Sequence, residues 1–304
     1  MKREFLMDLY KTYVAGVSFL SSRWPIGTNV YERDWDALLL LDTCRIDGLR
    51  EVAPEYEFLS DIESITSIGS TSSEFMAQTF VEEYTDEIRN TAYLSANAWS
   101  EKIFEEGQTP EDHYNLPLSL GKWRTVDKEI FGLLEHVWKY QPIDERSRPE
   151  VATKRAIQVG REISPDRLII HYQVPHSPYR VDAFQEDRGF HPWEKEPMEY
   201  LKNGGDFEKV WRAYLNDLRY VLDSVDVLLE NLDANKVVIS ADHGEAFGEY
   251  RIYGHGMALP HPHVKRVPWA KTTATDTGDV KPNLDTTEQQ STAEEQLGAL
   301  GYLD

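Results

Sequence analysis

Three short apolar runs in this chain end in residues able to hold a cation or move a proton. Trp35-Asp-Ala-Leu-Leu-Leu-Leu runs into Asp42-Thr-Cys-Arg45-Ile-Asp47, and Arg167-Leu-Ile-Ile runs into His171-Tyr-Gln-Val-Pro-His176-Ser-Pro-Tyr179. Lys236-Val-Val-Ile-Ser240 is followed by Asp242-His243-Gly-Glu245 and then by Gly254-His255-Gly256. Ligands of α/β sheets gather beyond the carboxyl ends of the strands, so these acids and imidazoles share one sheet edge. Oxygen and imidazole donors together suit a divalent ion, Mn2+ where carboxylates dominate, with Zn2+ and Mg2+ as the other choices. Each segment alone has a plainer reading. Asp42 can cap the helix that follows, Asp242-His-Gly can be a turn, and His171 can be a hydrogen-bonded core histidine. Their coincidence at separate strand ends of one sheet favours a site.

The elements that must carry these residues alternate. Trp35–Asp42 is a strand buried on both faces, followed by a helix from about Cys44 to Val52. Residues 71–84 suit a helix, Asn90–Ser95 a strand, and Asn97–Glu106 a helix. Val126–Tyr140 places Ile130, Phe131, Leu134, Val137 and Trp138 on one stripe and predicts another helix. Pro149 opens a helix that runs to Glu162, Arg167–His171 is a strand, and Asp206–Leu232 is the longest helical pattern. Lys236–Ser240 and Arg266–Ala270 complete the strands. The fold class is therefore α/β, a mostly parallel central sheet flanked by helices on both faces. Residues 1–34 form an amphipathic helix and lead-in, 35–270 the catalytic domain, and 271–304 an acidic tail whose stretch 293–303 can form one short docking helix. Arg180–Gly205, rich in charge, Pro and aromatics, reads as a long loop or lid.

Composition narrows the partners. Of 304 residues, 32 are basic and 53 acidic, for a net charge of -21. Such a surface repels a nucleic-acid backbone and an anionic lipid leaflet alike, and no local basic patch is seen to offset it. It is also the balance of a protein from a salt-rich cytoplasm, as in a halophilic archaeon, and it predicts folding that responds to molar KCl. The single Cys44 forms no internal disulfide and excludes a multi-cysteine metal cluster, which points to a reducing, cytoplasmic setting. The N-terminal pattern reads neither as a signal peptide nor as a membrane span, and it can lie on a membrane or on a partner. Oligomeric state is not legible.

Several of these segments resemble the alkaline phosphatase superfamily, in its sulfatase-like and phosphoglycerol-transferase-like branch. They are Leu-Leu-Leu-Leu-Asp-Thr-Cys-Arg-Ile-Asp (38–47), Gly-Ser-Thr-Ser-Ser-Glu-Phe (69–75), His-Ser-Pro-Tyr (176–179) and Ser-Ala-Asp-His-Gly-Glu-Ala-Phe-Gly-Glu (240–249), with Gly-His-Gly (254–256). The resemblance implies a metal-dependent hydrolase or transferase acting on phosphate esters, with Asp42, Asp242 and His243 holding one metal together with the nucleophile. That nucleophile is Thr71, because residues 69–75 are similar to the lipoteichoic-acid-synthase pattern. Ser70 and Ser72 compete with it, and Thr71 can also be an ordinary helix cap. By the same resemblance His176 contacts the substrate or protonates the leaving oxygen. His255 binds substrate or a second metal, and Arg45 is a supporting or phosphate-facing cation. A threonine hydroxyl is a poor nucleophile at neutral pH, and both a cation and a helix N-terminus would help it attack an anion.

Two departures matter. The Cys/Ser-x-Pro-x-Arg motif that sulfatases convert to formylglycine is absent, which favours phosphorus over sulfur as the reacting centre. The ligands of a second metal are not cleanly placed, and Asp182, His171, His176 and His255 are the residues available. Two rival readings remain. Cys44-Arg-Ile-Asp-Gly-Leu-Arg50 satisfies the Cys-x5-Arg spacing of a cysteine phosphatase loop, which would need no metal. The chain can also be an inactive binding module of the same fold. The substrate itself, among anionic small-molecule, lipid and sugar phosphate esters, is not legible.

Overall fold

The computed structural model describes residues 2–114, 116, 120–141, 148–289 and 291–300, with backbone alone for residues 2–8. Strands β1 (Ala37–Leu41), β2 (Asp61–Thr66), β3 (Thr91–Ser95), β4 (Leu133–His136), β5 (Arg167–Tyr172), β6 (Ala234–Ser240) and β9 (Arg266–Ala274) form one seven-stranded sheet, and β7 (Ala246–Phe247) pairs with β8 (Tyr253–Gly254) in a small hairpin. The order across the main sheet is β2-β9-β6-β1-β5-β3-β4. β6, β1, β5, β3 and β4 are parallel, whereas β9 runs antiparallel to both β6 and β2. β1 sits at the centre with every residue buried, as its unbroken leucine run requires. The helices Pro149–Glu162 and Phe207–Leu229 pack together, and their apolar stripes join the core cluster built around the sheet. Because β2 points the same way as β6, the helix Ser72–Thr79 that follows it starts at the same edge where β1, β5 and β6 end.

Three expectations are corrected. Val126–Tyr140 is not a helix: a 3-10 turn at Lys128–Ile130 leads into β4, and a second follows at Val137–Tyr140. Gly132 lies so close to the preceding chain that a Cβ there would come within 2.6 Å of the Arg89 carbonyl. The bend at this contact breaks the helical path, while Phe131, Val137 and Trp138 still reach the core. Arg180–Gly205 is not an open loop but three short helices, Val181–Gln185, Pro192–Lys195 and Pro197–Lys202. The last strand runs past Ala270 to Ala274, so the irregular segment begins later than its composition suggested. The terminal helix forms as Ala293–Ala299 and buries Ala293 and Leu297 in the main core cluster. Residues 301–303 of the predicted helix, and Met1 of the N-terminal one, lie outside the described residues.

Candidate functional site

Asp42 follows β1, His171 is the penultimate residue of β5, and Asp242 and His243 follow β6. All four are buried to 0% exposure. Ligand atoms of Asp42, His171 and Asp242 lie within 4.8 Å of one another. His243 Nε2 stands 3.7 Å from Asp42 Oδ1 and 3.5 Å from Asp242 Oδ2, and His171 Nε2 stands 3.3 Å from the same Asp242 oxygen. The other atom of each group is tied away from the centre. Asp42 Oδ2 accepts from Asn97 Nδ2 at 2.8 Å and Gln173 Nε2 at 3.1 Å, and Asp242 Oδ1 accepts from the His243 N–H at 2.8 Å. His243 Nδ1 is 2.9 Å from the Gly244 carbonyl and His171 Nδ1 is 2.9 Å from the Tyr93 hydroxyl. Each imidazole thus turns Nε2 inward, the tautomer control expected of metal ligands. Gly244 is required here, since a Cβ would come within 2.1 Å of the His263 carbonyl.

Two carboxylates and two imidazoles make a donor set suited to Zn2+, Mn2+ or Mg2+. Among the described residues Asp242 Oδ2 and His171 Nε2 make no hydrogen bond although both are buried, an arrangement that is costly unless a cation completes it. Burial alone would raise the Asp242 carboxyl, but His243 and His171 hold it below the usual carboxylate range. Burial pushes His243 down to about 4 against the pull of Asp242, which keeps the ring neutral and ready to ligate at pH 7.

The segment 69–75 delivers four hydroxyls, of which Ser73 lies beside Thr71 on the cavity wall, its Oγ 3.1 Å from Thr71 Oγ1. Ser70 Oγ donates to Glu74 Oε2 at 2.6 Å and approaches the Gly256 carbonyl at 2.9 Å, while Glu74 also takes the Ser70 and Ala258 N–H groups. Ser70 therefore ties this loop to the one after His255. Thr71 is the helix cap: its Oγ1 accepts from the Glu74 N–H at 3.1 Å, and it is half-buried on the cavity wall. Ser72 is fully buried and turns toward the acids, 3.5 Å from Asp42 Oδ2 and 3.3 Å from His243 Nε2. Thr71 and Ser73 face the cavity, and Ser72 meets the acid–imidazole cluster.

A cavity of about 710 Å³ opens over this edge, and Thr71, His176, Glu245, His255 and Lys195 line it. His176, Glu245 and His255 form a second group whose ligand atoms lie within 4.8 Å of one another. His255 Nδ1 is 3.1 Å from Glu245 Oε1, and its ring centre is 4.4 Å from that of His243. It thus joins the two groups. Burial, with His255 alongside, drives His176 well below the ordinary imidazole range. For His255 burial pulls the same way, but the Glu245 carboxylate outweighs it and lifts the ring above that range. The 180–205 segment reaches this cavity through Lys195, Glu196, Pro197, Met198 and Glu199. Of its aromatics, Phe190 and Tyr200 border an adjoining cavity, and Trp193 stacks on His191 at 4.1 Å.

Arg45 does not line the cavity. Its guanidinium bonds Asp47 at 2.5 Å and Glu249 at 2.7 Å, and it donates to the Glu245 carbonyl at 3.2 Å. It supports the Asp-His-Gly-Glu turn from behind, with its charge already balanced. Asp182 is likewise remote, accepting from Asn216 Nδ2 at 2.8 Å. The thiol-phosphatase reading fails: burial, with Asp47 alongside, pushes the Cys44 thiol far above its ordinary value, and Arg50 donates to the Ile62 carbonyl. Sequence reasoning missed Asn97, Gln173 and Tyr93, named Glu245 in its motif without giving it a role, and weighed His171 as a core residue or a ligand of a second metal. Only Glu245 carried a signal, as the last residue of Asp-His-Gly-Glu.

No family model matches the chain, and no curated protein matches it in sequence at a significant level. Solved structures do share its outline. One is the soluble domain of lipooligosaccharide phosphoethanolamine transferase A from Neisseria meningitidis, with 14% identity over 78% of this chain and 75% of that one and a TM-score of 0.45. The zinc complex of the C-terminal periplasmic domain of EcEptC from Escherichia coli gives 13% identity over 90% and 83%, with a TM-score of 0.47. Phosphonoacetate hydrolase from Sinorhizobium meliloti in complex with phosphonoformate gives 15% identity over 72% and 60%, with a TM-score of 0.34. Likeness at these scores leaves the residues themselves to decide what the site does. They define an α/β domain with a mostly parallel sheet whose carboxyl edge gathers acids, imidazoles and hydroxyls under one cavity.

Proposed function

We propose that this protein is a metal-dependent phosphoric-ester hydrolase or phosphotransferase. The observation that carries this reading is the buried convergence of Asp42, His171, Asp242 and His243 beneath a cavity that a helix-capping threonine lines. A divalent cation held by these four would neutralise charge on the phosphoryl oxygens and lower the pKa of a nearby hydroxyl. The residues supply the rest. Thr71 attacks phosphorus from the N-terminus of the helix Ser72–Thr79, whose dipole favours an anion, and a phosphothreonine forms as the ester oxygen leaves. His176 and His255 border the cavity: the neutral His176 ring takes the Thr71 hydroxyl proton, and His255, lifted by Glu245, gives a proton to the leaving oxygen, with Lys195 also on the cavity wall. Water or an acceptor alcohol then takes the phosphoryl group from Thr71.

A second reading keeps the chemistry but moves the attack to Ser72. Its contacts with Asp42 and His243 favour this, while its complete burial counts against it. Hydrolysis of p-nitrophenyl phosphate, bis-p-nitrophenyl phosphate and p-nitrophenyl sulfate, with Mn2+ or Zn2+ and with EDTA, separates the cases when run on wild type, Thr71→Ala and Ser72→Ala. We expect EDTA-sensitive release from a phosphate ester that falls about 10³-fold or more in Thr71→Ala. Loss confined to Ser72→Ala would transfer the role. Turnover of the sulfate alone would make the protein a sulfatase, and no turnover with no metal bound would make it a binding module.

A further inference from the structure

Among the described residues, most of the large apolar side chains left in solvent belong to the first 26 residues. Leu9, Tyr13, Phe19 and Leu20 on the helix Lys2–Ser21, with Trp24 and Ile26 just beyond it, are between 39% and 78% exposed. Leu9, Gly16 and Leu20, at seven- and four-residue steps, lie on the outward side with the part-exposed Tyr13 ring at its margin, while Val14, Ala15 and Ser18 face inward and are buried. The same stretch carries Lys2, Arg3, Lys11 and Arg23 against Glu4 and Asp8, a net positive segment on a chain of charge -21. Contiguous exposed apolar surface of this kind marks an interaction site.

We propose that this helix is a docking surface for an anionic lipid bilayer, lying in the headgroup region with its apolar stripe turned toward the acyl chains. Charge complementarity selects this occupant. A basic amphipathic helix is drawn to anionic headgroups with the acidic body turned away, whereas a second copy of the chain would bring two strongly negative bodies together. Trp24, 65% exposed, suits the headgroup zone, where an apolar ring with a polar edge is at home. Among the described residues no helix is long and apolar enough to cross a membrane, so the helix lies on the surface. The inward side of the helix is seated on the catalytic body. The Tyr13 hydroxyl donates to the Ala258 carbonyl at 3.0 Å, and the Tyr10 ring lies 6.1 Å from that of Tyr114, a cavity-lining residue. Docking would therefore hold the cavity mouth beside the lipid. None of this depends on the chemistry proposed above.

The test is cosedimentation of the full chain with sucrose-loaded vesicles of phosphatidylcholine, alone and mixed with phosphatidylglycerol. Wild type and the double variant Leu20→Glu/Trp24→Glu are compared, with thermal unfolding and light-scattering mass measured in parallel. Wild type should bind the anionic vesicles, and the variant should lose about tenfold or more of that partitioning at unchanged thermal stability. Wild type left in the supernatant with anionic vesicles, or equal binding by both chains, would overturn the proposal. So would a wild-type dimer that the double variant converts to monomer, since the face would then belong to a second copy.

Discussion

His171 shows how one residue can satisfy two readings at once. It is fully buried and hydrogen-bonded through Nδ1, as a core histidine should be, yet its Nε2 is aimed at Asp242. A strand sequence does not reveal which ring nitrogen a neighbour will occupy, so its role emerged only when Tyr93 on β3 came into register beside β5. The acids were easier to read, because Asp42 and Asp242 follow separate buried apolar runs of one sheet, a coincidence that a cap or a turn at each alone does not explain. Thr71 and Ser72 were not separable in sequence, since their difference is one of direction at a helix cap. If Tyr93 orients His171 for a cation, Tyr93→Phe should weaken metal affinity by about 10- to 100-fold while leaving the fold intact. Competition with a chromogenic chelator reads this directly. Unchanged affinity would remove His171 from the ligand set.

At the scale of elements, the alternation of buried strands and amphipathic helices was legible because β1, β5 and β6 carry near-continuous apolar runs. What failed was local. The stripe across 126–140 fits a helix, yet the close approach of Gly132 to Arg89 imposes a bend and leaves β4 as an edge strand. The loop that carries His176 is held from below by the helix Phe207–Leu229. Asp217 Oδ1 accepts from the N–H groups of Arg180 at 2.8 Å and Val181 at 3.1 Å, and Arg180 donates to the His176 carbonyl at 3.1 Å. Burial raises the Asp217 carboxyl from 3.8 to about 6, since Arg180 Nε at 3.7 Å is too far for a full hydrogen bond. The folded state therefore holds this proton more tightly than the unfolded one. Its stabilising contribution is complete below the unfolded value and is lost as pH rises through about 6. Thermal midpoints between pH 4 and 7 should show wild type losing several degrees relative to Asp217→Asn, and parallel curves would refute the assignment. The terminal helix Ala293–Ala299 bears on the same cavity, which Gly298, Ala299 and Leu300 help to wall. A Cβ at Gly298 would meet nothing within 4 Å, so Gly298→Phe has room to enter. It should raise KM for a bulky ester about three- to tenfold and leave kcat for a small one nearly unchanged. Equal effects on both esters would show that this wall does not border the substrate.

The whole molecule is an acidic body that keeps two of its carboxylates fully buried and close together, and this is affordable only if something positive joins them. Four chain segments distant in sequence converge there, and the edge of the sheet is what brings them together. Metal binding is then also folding energy, because the unfolded chain has no such site. The most direct measurement is the metal content of the chain, by elemental analysis after exhaustive dialysis from Mn2+ or Zn2+, together with the thermal midpoint with and without metal. Wild type should retain about one equivalent and be stabilised by it, whereas Asp242→Asn should retain less than about a tenth, gain nothing from added metal, and unfold no earlier than the metal-free wild type. A wild-type chain that holds no metal, or an Asp242→Asn chain that holds as much, would contradict the account.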